Sequence, residues 1–363
     1  MEEIMKEKYM ELAIELAKKA TGRTSPNPLV GAVIVKNEQI IGKGYHKKAG
    51  TPHAEPLAIE DAGKETYGAD LYVTLEPCNH YGKTPPCTEA IIAAQLKNVY
   101  IATLDPNPVV AGKGVKRLQD AGIKVEIGLK EKEAIILNEA FFKYITARKP
   151  FIAVKTACSL DGKIATKTGH SQWITGKEAR EYGHTLRNKY DAIMVGIGTV
   201  LADDPSLTCR IEGGRDPVRI IIDSKLSISP DAKILNLDSE APTLIATTEN
   251  SPVMKREILA GKAEIIVVND GEKVDLNKLA SLLGERQITS ILAEGGAILN
   301  GELIRQNLVD KFYLFYAPML IGGQMAPSFL AGTGPNYLNE AFRLKDLCIQ
   351  KVGEDFLVTT YPK

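Results

Sequence analysis

Met5, Tyr9, Leu12, Ala13, Leu16, Ala17 and Ala20 recur three or four positions apart, the spacing that lays apolar side chains along one helical face. Residues 2–20 are therefore predicted as an amphipathic helix, ended by Gly22. Beyond T-S-P-N-P, Gly31–Val35 and Gln39–Tyr45 read as paired strands turning near Asn37, and Leu71–Leu75 as a buried strand. A short helix is expected from His53-Ala-Glu-Pro and another from Pro86-Cys87, with proline at a favoured early position. Valine and isoleucine strands at 98–102 and 123–127, with a helix over 112–120 between them, continue the alternation. Across Glu131–Ala147, Ala134, Leu137, Phe141 and Tyr144 share one face, with Ile135 and Ala140 beside them, which predicts a single helix closing a first domain. Arg148-Lys149-Pro150 breaks that pattern, and Phe151–Thr156 begins a new strand. Two α/β domains are expected, 1–147 and 148–363, with no internal repeat between them.

The length of 363 residues agrees, since single cores stop growing at about 250–300 residues. Forty-five basic residues balance 45 acidic ones, so no global field draws in polyanions, and nucleic acid is not expected as the partner. The charged start M-E-E-I-M-K-E-K lacks a signal peptide's apolar core, and no apolar run approaches the roughly 20 residues of a membrane span. A cytoplasmic enzyme acting on a small molecule, assembled as a homo-oligomer, is the expectation. Of five cysteines, Cys158, Cys209 and Cys348 are scattered, which argues against a disulfide scaffold.

The remaining two, Cys78 and Cys87, carry the chemistry. His53-Ala-Glu55 followed by Pro77-Cys78 and Pro86-Cys87 corresponds to the H-x-E and P-C-x-x-C signature of zinc-dependent nucleobase deaminases, with eight residues instead of two between the cysteines. One imidazole and two thiolates leave a tetrahedral position open for water, as a catalytic zinc requires, and Glu55 is placed to move a proton without being a ligand. Both cysteines are expected at helix starts, where the helix dipole favours thiolate. A closed structural site with His46 or His80 as fourth ligand is the rival, but it leaves Glu55 unexplained. With a catalytic site, His46, His80 and Lys83 become candidates for holding an anionic substrate. Asn27 is a further ligand candidate, although on spacing alone an Asn between two prolines reads first as turn geometry. Asp105 and Asn107, in D-P-N-P after a strand end, read on spacing alone as a plain turn.

In the second half the G-x-G-x-x-G dinucleotide fingerprint is absent. A weaker arrangement is present: strand Ser290–Ala293, then Glu294-Gly295-Gly296, then a helix from Ala297 to about Gln306, where glycines admit a phosphate to free backbone amides.

H-A-E with the extended P-C-N-H-Y-G-K-T-P-P-C resembles the deaminase half of the RibD family, the bifunctional pyrimidine deaminase-reductases of bacterial riboflavin synthesis. K-T-A-C-S-L-D-G-K-I-A at 155–165, S-Q-W-I-T-G at 171–176 and G-I-G-T-V-L-A-D-D-P-S-L-T-C-R at 196–210 resemble its reductase half. The resemblance implies a cytidine-deaminase-like α/β/α domain followed by a dihydrofolate-reductase-like α/β domain that uses NADPH. It implies substrate contacts at Asp105 and Asn107, and cofactor contacts at Ala157, Trp173, Thr199, Asp203 and Ser224, with the turn from Gly296 at the pyrophosphate. Further substrate contacts would fall at Ser171, Arg187, Leu207, Arg210 and Glu294. Without it, Trp173 and Leu207 read as core, Arg187 as a solvated helix charge, and Asp203-Asp204-Pro205 as a cap or turn. The activities implied are deamination of a diaminopyrimidine nucleotide at a zinc site and NADPH-dependent reduction of its ribosyl chain to ribityl. Two other classes stand beside this: a nucleoside or nucleic-acid deaminase with a regulatory second domain, and a binding protein with structural zinc.

Overall fold

The computed structural model describes residues 2–81, 85–108 and 110–363, and the chain divides between Arg148 and Lys149 into two units, one residue past the expected boundary. The first contains α1 (Glu2–Lys18), β1 (Gly31–Lys36), β2 (Gln39–Tyr45), α2 (Ala54–Ala62), β3 (Asp70–Val73), α3 (Cys87–Ala93), β4 (Asn98–Ile101), α4 (Lys113–Asp120), β5 (Lys124–Ile127), α5 (Glu131–Leu137) and α6 (Glu139–Ala147). Its sheet runs β2-β1-β3-β4-β5, antiparallel as far as β3 and parallel from β3 to β5. Asn37 and Glu38, both at positive φ (50° and 63°), make the β1–β2 turn, a geometry whose twist matches that of the strands.

Strand alternation sorts the core onto two faces. Ala32, Ile34, Leu71, Val73, Val99 and Ile101 pack against Ala58 of α2, Ile91 of α3 and Leu118 of α4. Val33, Val35, Tyr72 and Tyr100 face Met10 and Ala13 of α1 and Ala134 of α5. The result is an α/β/α sandwich, in which each fully buried Ile or Leu contributes about 1.5–3 kcal/mol.

The single helix expected over 131–147 is two helices, broken at Asn138 (φ −111°, ψ 19°). The buried Asn138 side chain accepts from Leu29 N–H (2.8 Å) and donates to Leu29 C=O (2.9 Å). Those two bonds tie α5–α6 to the loop before β1, and continuous helical packing yields to them. The apolar face persists across the break, which is why periodicity alone joined the two halves.

The second unit contains β6 (Phe151–Ser159), α7 (Lys177–Lys189), β7 (Ala192–Gly196), α8 (Ile197–Asp203), β8 (Val218–Ile222), β9 (Thr243–Thr248), α9 (Val253–Ala260), β10 (Glu264–Asn269), α10 (Leu276–Glu285), β11 (Ser290–Ala293), α11 (Ala297–Arg305), β12 (Lys311–Ala317), β13 (Leu344–Val352) and β14 (Asp355–Pro362). Its sheet order is β10-β9-β8-β7-β11-β6-β12-β14-β13, parallel from β10 to β12 and closed by an antiparallel hairpin. Both faces of the parallel part are covered. Ile152, Met194, Ile220, Leu244 and Ile266 meet Leu279 of α10 and Leu303 of α11 on one side. Ile193, Val195, Ile221 and Ile245 meet Val200 of α8 and Leu259 of α9 on the other.

Candidate functional site

In the first unit α2 lies directly on β2: a Cβ at Gly44 would fall 2.2 Å from the Ala54 carbonyl, so glycine there lets the helix seat on the strand. His53 is the N-cap of that helix and Glu55 lies in its first turn. Cys87 opens α3, as expected. Cys78 does not open a helix; it lies in the extended segment after β3, and the Cys87 N–H donates to its sulfur at 3.4 Å. The helix terminus thus acts on Cys78 from outside the helix, and on Cys87 from within it.

His53 Nδ1 stands 3.2 Å from Cys87 Sγ and 3.6 Å from Cys78 Sγ, and among the described residues these three form the one cluster of metal-ligating groups, all within 4.8 Å. Ligands about 2.0–2.3 Å from one tetrahedral zinc sit at about such mutual separations, and an imidazole with two thiols is a zinc donor set, so the residues fit the ion. The hydrogen bond from the Cys87 thiol lowers the Cys78 pKa. Glu55 is 3% exposed, and burial pushes its carboxyl up to about 7, with the Cys78 charge adding to the rise. It sits beside the cluster, within reach of Cys87.

His46 is no fourth ligand. Its Nδ1 donates to the Pro52 carbonyl (3.1 Å), leaving Nε2 to accept from Asn27 Nδ2 (3.1 Å). Burial lowers the His46 pKa and keeps that neutral tautomer; its ring stands edge-on to His53 with centroids 5.4 Å apart. Asn27 is therefore engaged with the site wall through its side chain. Asp105 is buried and its Oδ1 accepts the Asn107 N–H (2.8 Å). Burial raises Asp105 to about 6 against the lowering effect of the Asn107 N–H bond, and His80 nearby is exposed. Lys83 lies outside the described residues. Glu76 is the residue that sequence reasoning missed here: its buried carboxylate accepts backbone N–H groups from Asp105, Gly112, Gly114 and Val115. Its place directly before Pro77-Cys78 was the available signal.

In the second unit a cavity of about 1330 Å³ is lined by Ala157, Ser171, Trp173, Arg187, Thr199, Asp203, Leu207, Arg210, Ser224, Glu294 and Gly296. All eleven expected residues of this half thus meet at one site, and its volume exceeds the 300–1,000 Å³ of ordinary single-ligand pockets. Trp173 is 66% exposed, not core, with the Arg180 guanidinium 4.7 Å from its ring centroid. Leu207 is buried at the cavity wall. Ser224 Oγ accepts the Val274 N–H (3.1 Å). Burial raises the Asp203 pKa, and a hydrogen bond from Ser171 opposes the rise.

Arg187 is no solvated charge. Its Nε and Nη2 each donate to a different oxygen of Glu294 at 2.8 Å, and Nη1 donates to the Thr208 carbonyl (3.0 Å). Glu294 does not cap α11; the N-cap is Gly296, with no side-chain cap. Burial opposes Glu294 ionisation, but Arg187, followed by Lys155 with Nζ 3.9 Å away, holds it at about 2. Lys155 itself lines the cavity, with its pKa lowered by burial. It was missed because a lysine inside a strand reads as a surface charge. At Gly296 (φ 61°) a Cβ would meet Thr199 Oγ at 3.3 Å, so the uncapped start of α11 stays open to a phosphate, which fits a dinucleotide cofactor.

The family described as the RibD C-terminal domain matches residues 150–358, and the cytidine and deoxycytidylate deaminase zinc-binding region matches residues 4–103. The riboflavin biosynthesis protein RibD of Bacillus amyloliquefaciens is 44% identical over 360 residues, covering 99% of this chain and 97% of that protein. The structure of Acinetobacter baumannii RibD superposes with a TM-score of 0.89 at 38% identity, covering 99% of each chain. The diaminohydroxyphosphoribosylaminopyrimidine deaminase/5-amino-6-(5-phosphoribosylamino)uracil reductase of Thermotoga maritima gives a TM-score of 0.88 at 39% identity, covering 100% of each chain.

Proposed function

The chain belongs to the RibD family of bifunctional riboflavin-biosynthesis enzymes, and on that premise we propose that its two reactions are divided between the two sites just described. It is a zinc-dependent deaminase and an NADPH-dependent reductase. It hydrolyses the 2-amino group of 2,5-diamino-6-ribosylamino-4(3H)-pyrimidinone 5′-phosphate and then reduces the ribosyl chain to ribityl. The observation that carries the assignment of the first step is Glu55, buried beside the His53, Cys78 and Cys87 cluster without belonging to it.

In the domain we assign to residues 1–147, His53, Cys78 and Cys87 would hold zinc. Zinc, when bound, supplies the Lewis acidity that brings a water's pKa from about 15.7 toward 7. Glu55, buried beside the ligands, accepts the proton on a carboxylate oxygen and returns it to the departing amine. Asn27, His80, Lys83, Asp105 and Asn107 hold the pyrimidine and its anionic tail, and His46 acts behind Asn27, whose side chain it binds.

In the domain we assign to 148–363, NADPH supplies hydride. Ala157, Trp173, Thr199, Asp203, Ser224 and Gly296 hold the cofactor, whereas Ser171, Arg187, Leu207, Arg210 and Glu294 face the substrate. Glu294 locks the Arg187 fork, so the guanidinium meets an incoming anion in a fixed orientation. Incubating the chain with the diaminopyrimidine nucleotide, with and without NADPH, tests the division: ammonia release needs no NADPH, and NADPH oxidation follows it.

No helix of the described residues is long and apolar enough to cross a membrane, and we place the enzyme in the cytoplasm. We also read it as a homo-oligomer. Supporting this, the edge strand β13 is exposed along almost its whole length and carries Leu344, Leu347 and Ile349.

A further inference from the structure

Glu76 is 4% exposed, and among the described residues no ion pair neutralises it. Its charge is instead solvated by backbone. Oε2 accepts the N–H groups of Asp105 (3.3 Å) and Gly112 (3.0 Å), and Oε1 those of Gly114 (2.9 Å) and Val115 (3.2 Å). Gly112 is the N-cap of α4, with no side-chain cap of its own, so the carboxylate meets amide groups that the helix cannot satisfy internally. The approach is tight: a Cβ at Gly114 would fall 2.1 Å from the Pro77 carbonyl, so only glycine lets the first turn of α4 lie against the Glu76-Pro77 backbone. Glu76 N–H also donates to Thr103 C=O at 3.0 Å, joining the same two segments from the other side. The chain that delivers Cys78 two residues later is thereby fastened to the chain that presents Asp105 and Asn107.

We propose that Glu76 is a positioning residue of the deaminase site, one that fixes Asp105 and Asn107 at substrate distance from the metal ligands. The inference rests on the assignment of Asp105 and Asn107 to the substrate. An apolar side chain would fill the space, and a cap on α4 alone would need only its first amides. The bond to Asp105 N–H, outside the helix, is what couples Glu76 to the pocket wall.

The test uses the full-length zinc-loaded chain carrying Glu76→Gln, Asp105→Asn or both, reading kcat and KM for ammonia release from the diaminopyrimidine nucleotide, and zinc per chain. Glutamine keeps the size but turns an NH2 toward two of the four donors. The expected result for Glu76→Gln is zinc at the parent level and KM raised about tenfold or more, with kcat changed less, because small misplacements of binding groups are costly. The double variant should show less than the product of the two single effects, as residues acting through one another do. A KM within about twofold of the parent, or independent multiplication of the two effects, would overturn the proposal. So would loss of zinc or of soluble protein in Glu76→Gln, which would make Glu76 a requirement of the fold and not of substrate placement. Asp105→Asn without effect on KM removes the underlying assignment; Asp105→Asn raising KM while Glu76→Gln does not removes Glu76 alone.

Discussion

Arg187 and Glu294 meet fork to fork, two N–H to oxygen bonds of 2.8 Å each, from the last turn of α7 to the residue after β11. Both side chains are largely buried, 16% and 7% exposed, and Lys155 stands 3.9 Å from the same carboxylate. Arg187 and Lys155 both stand beside this one carboxylate, and Arg210 lines the same cavity, so basic side chains converge where a phosphorylated substrate would be met.

Glu294→Gln tests whether that wall serves reduction. Glutamine offers one acceptor oxygen where the fork uses two, and removing one partner of a buried pair typically costs about 3–5 kcal/mol. NADPH oxidation is expected to fall by about a hundredfold or more, since the Arg187 orientation goes with it. Ammonia release should be unchanged. Measuring both on one preparation separates the roles: intact reduction would remove Glu294 from the site, and loss of both activities would indicate misfolding.

Acid should reveal the same pair. Glu294 is held at about 2 against an ordinary 4.5, so the folded state favours its ionised form. The stabilisation is present above about pH 4.5 and is lost as pH falls through the folded value, because the unfolded chain then binds the proton first. Urea midpoints of the reductase transition should therefore decline more steeply between pH 4.5 and 2 in the parent than in Glu294→Gln. Equal slopes would contradict the shift.

Cys87→Ser is expected to lower zinc per chain, a hydroxyl being a poor substitute for a thiolate ligand. Chelation of the parent should likewise abolish ammonia release and spare the NADPH-dependent reduction of the deaminated substrate. Zinc content is read by metal analysis after gel filtration, and full retention in Cys87→Ser would count against the ligand set.

The first unit was legible where a local rule decides the outcome. The Asn37 turn, the helix after His53 and the start of α3 at Cys87 fall where spacing put them. Asn138 was not legible, because what breaks the helix is a partner 109 residues away, at Leu29. Cys78 was misplaced for a similar reason: its helix-terminus contact is made across space. In the second unit, spacing alone located few strands, since parallel strands covered on both faces lose the alternation that marks a half-buried strand. Its eleven site residues came from likeness to the RibD family. Taken singly, Arg187 looks like a surface charge, and only the fold brings its fork to the Glu294 carboxylate.

The most direct measurement uses Glu55→Gln, supplied in turn with the diaminopyrimidine nucleotide and with 5-amino-6-(5-phosphoribosylamino)uracil, while ammonia and NADPH are both followed. Glutamine cannot carry the proton, and a positioned acid-base group is worth about 10²–10⁴-fold. With zinc retained, ammonia release from the first compound should fall by that factor, while NADPH oxidation with the second proceeds at the parent rate. Ammonia release near the parent rate, or loss of NADPH oxidation with the deaminated compound, would contradict a chain whose two reactions run at two separate sites.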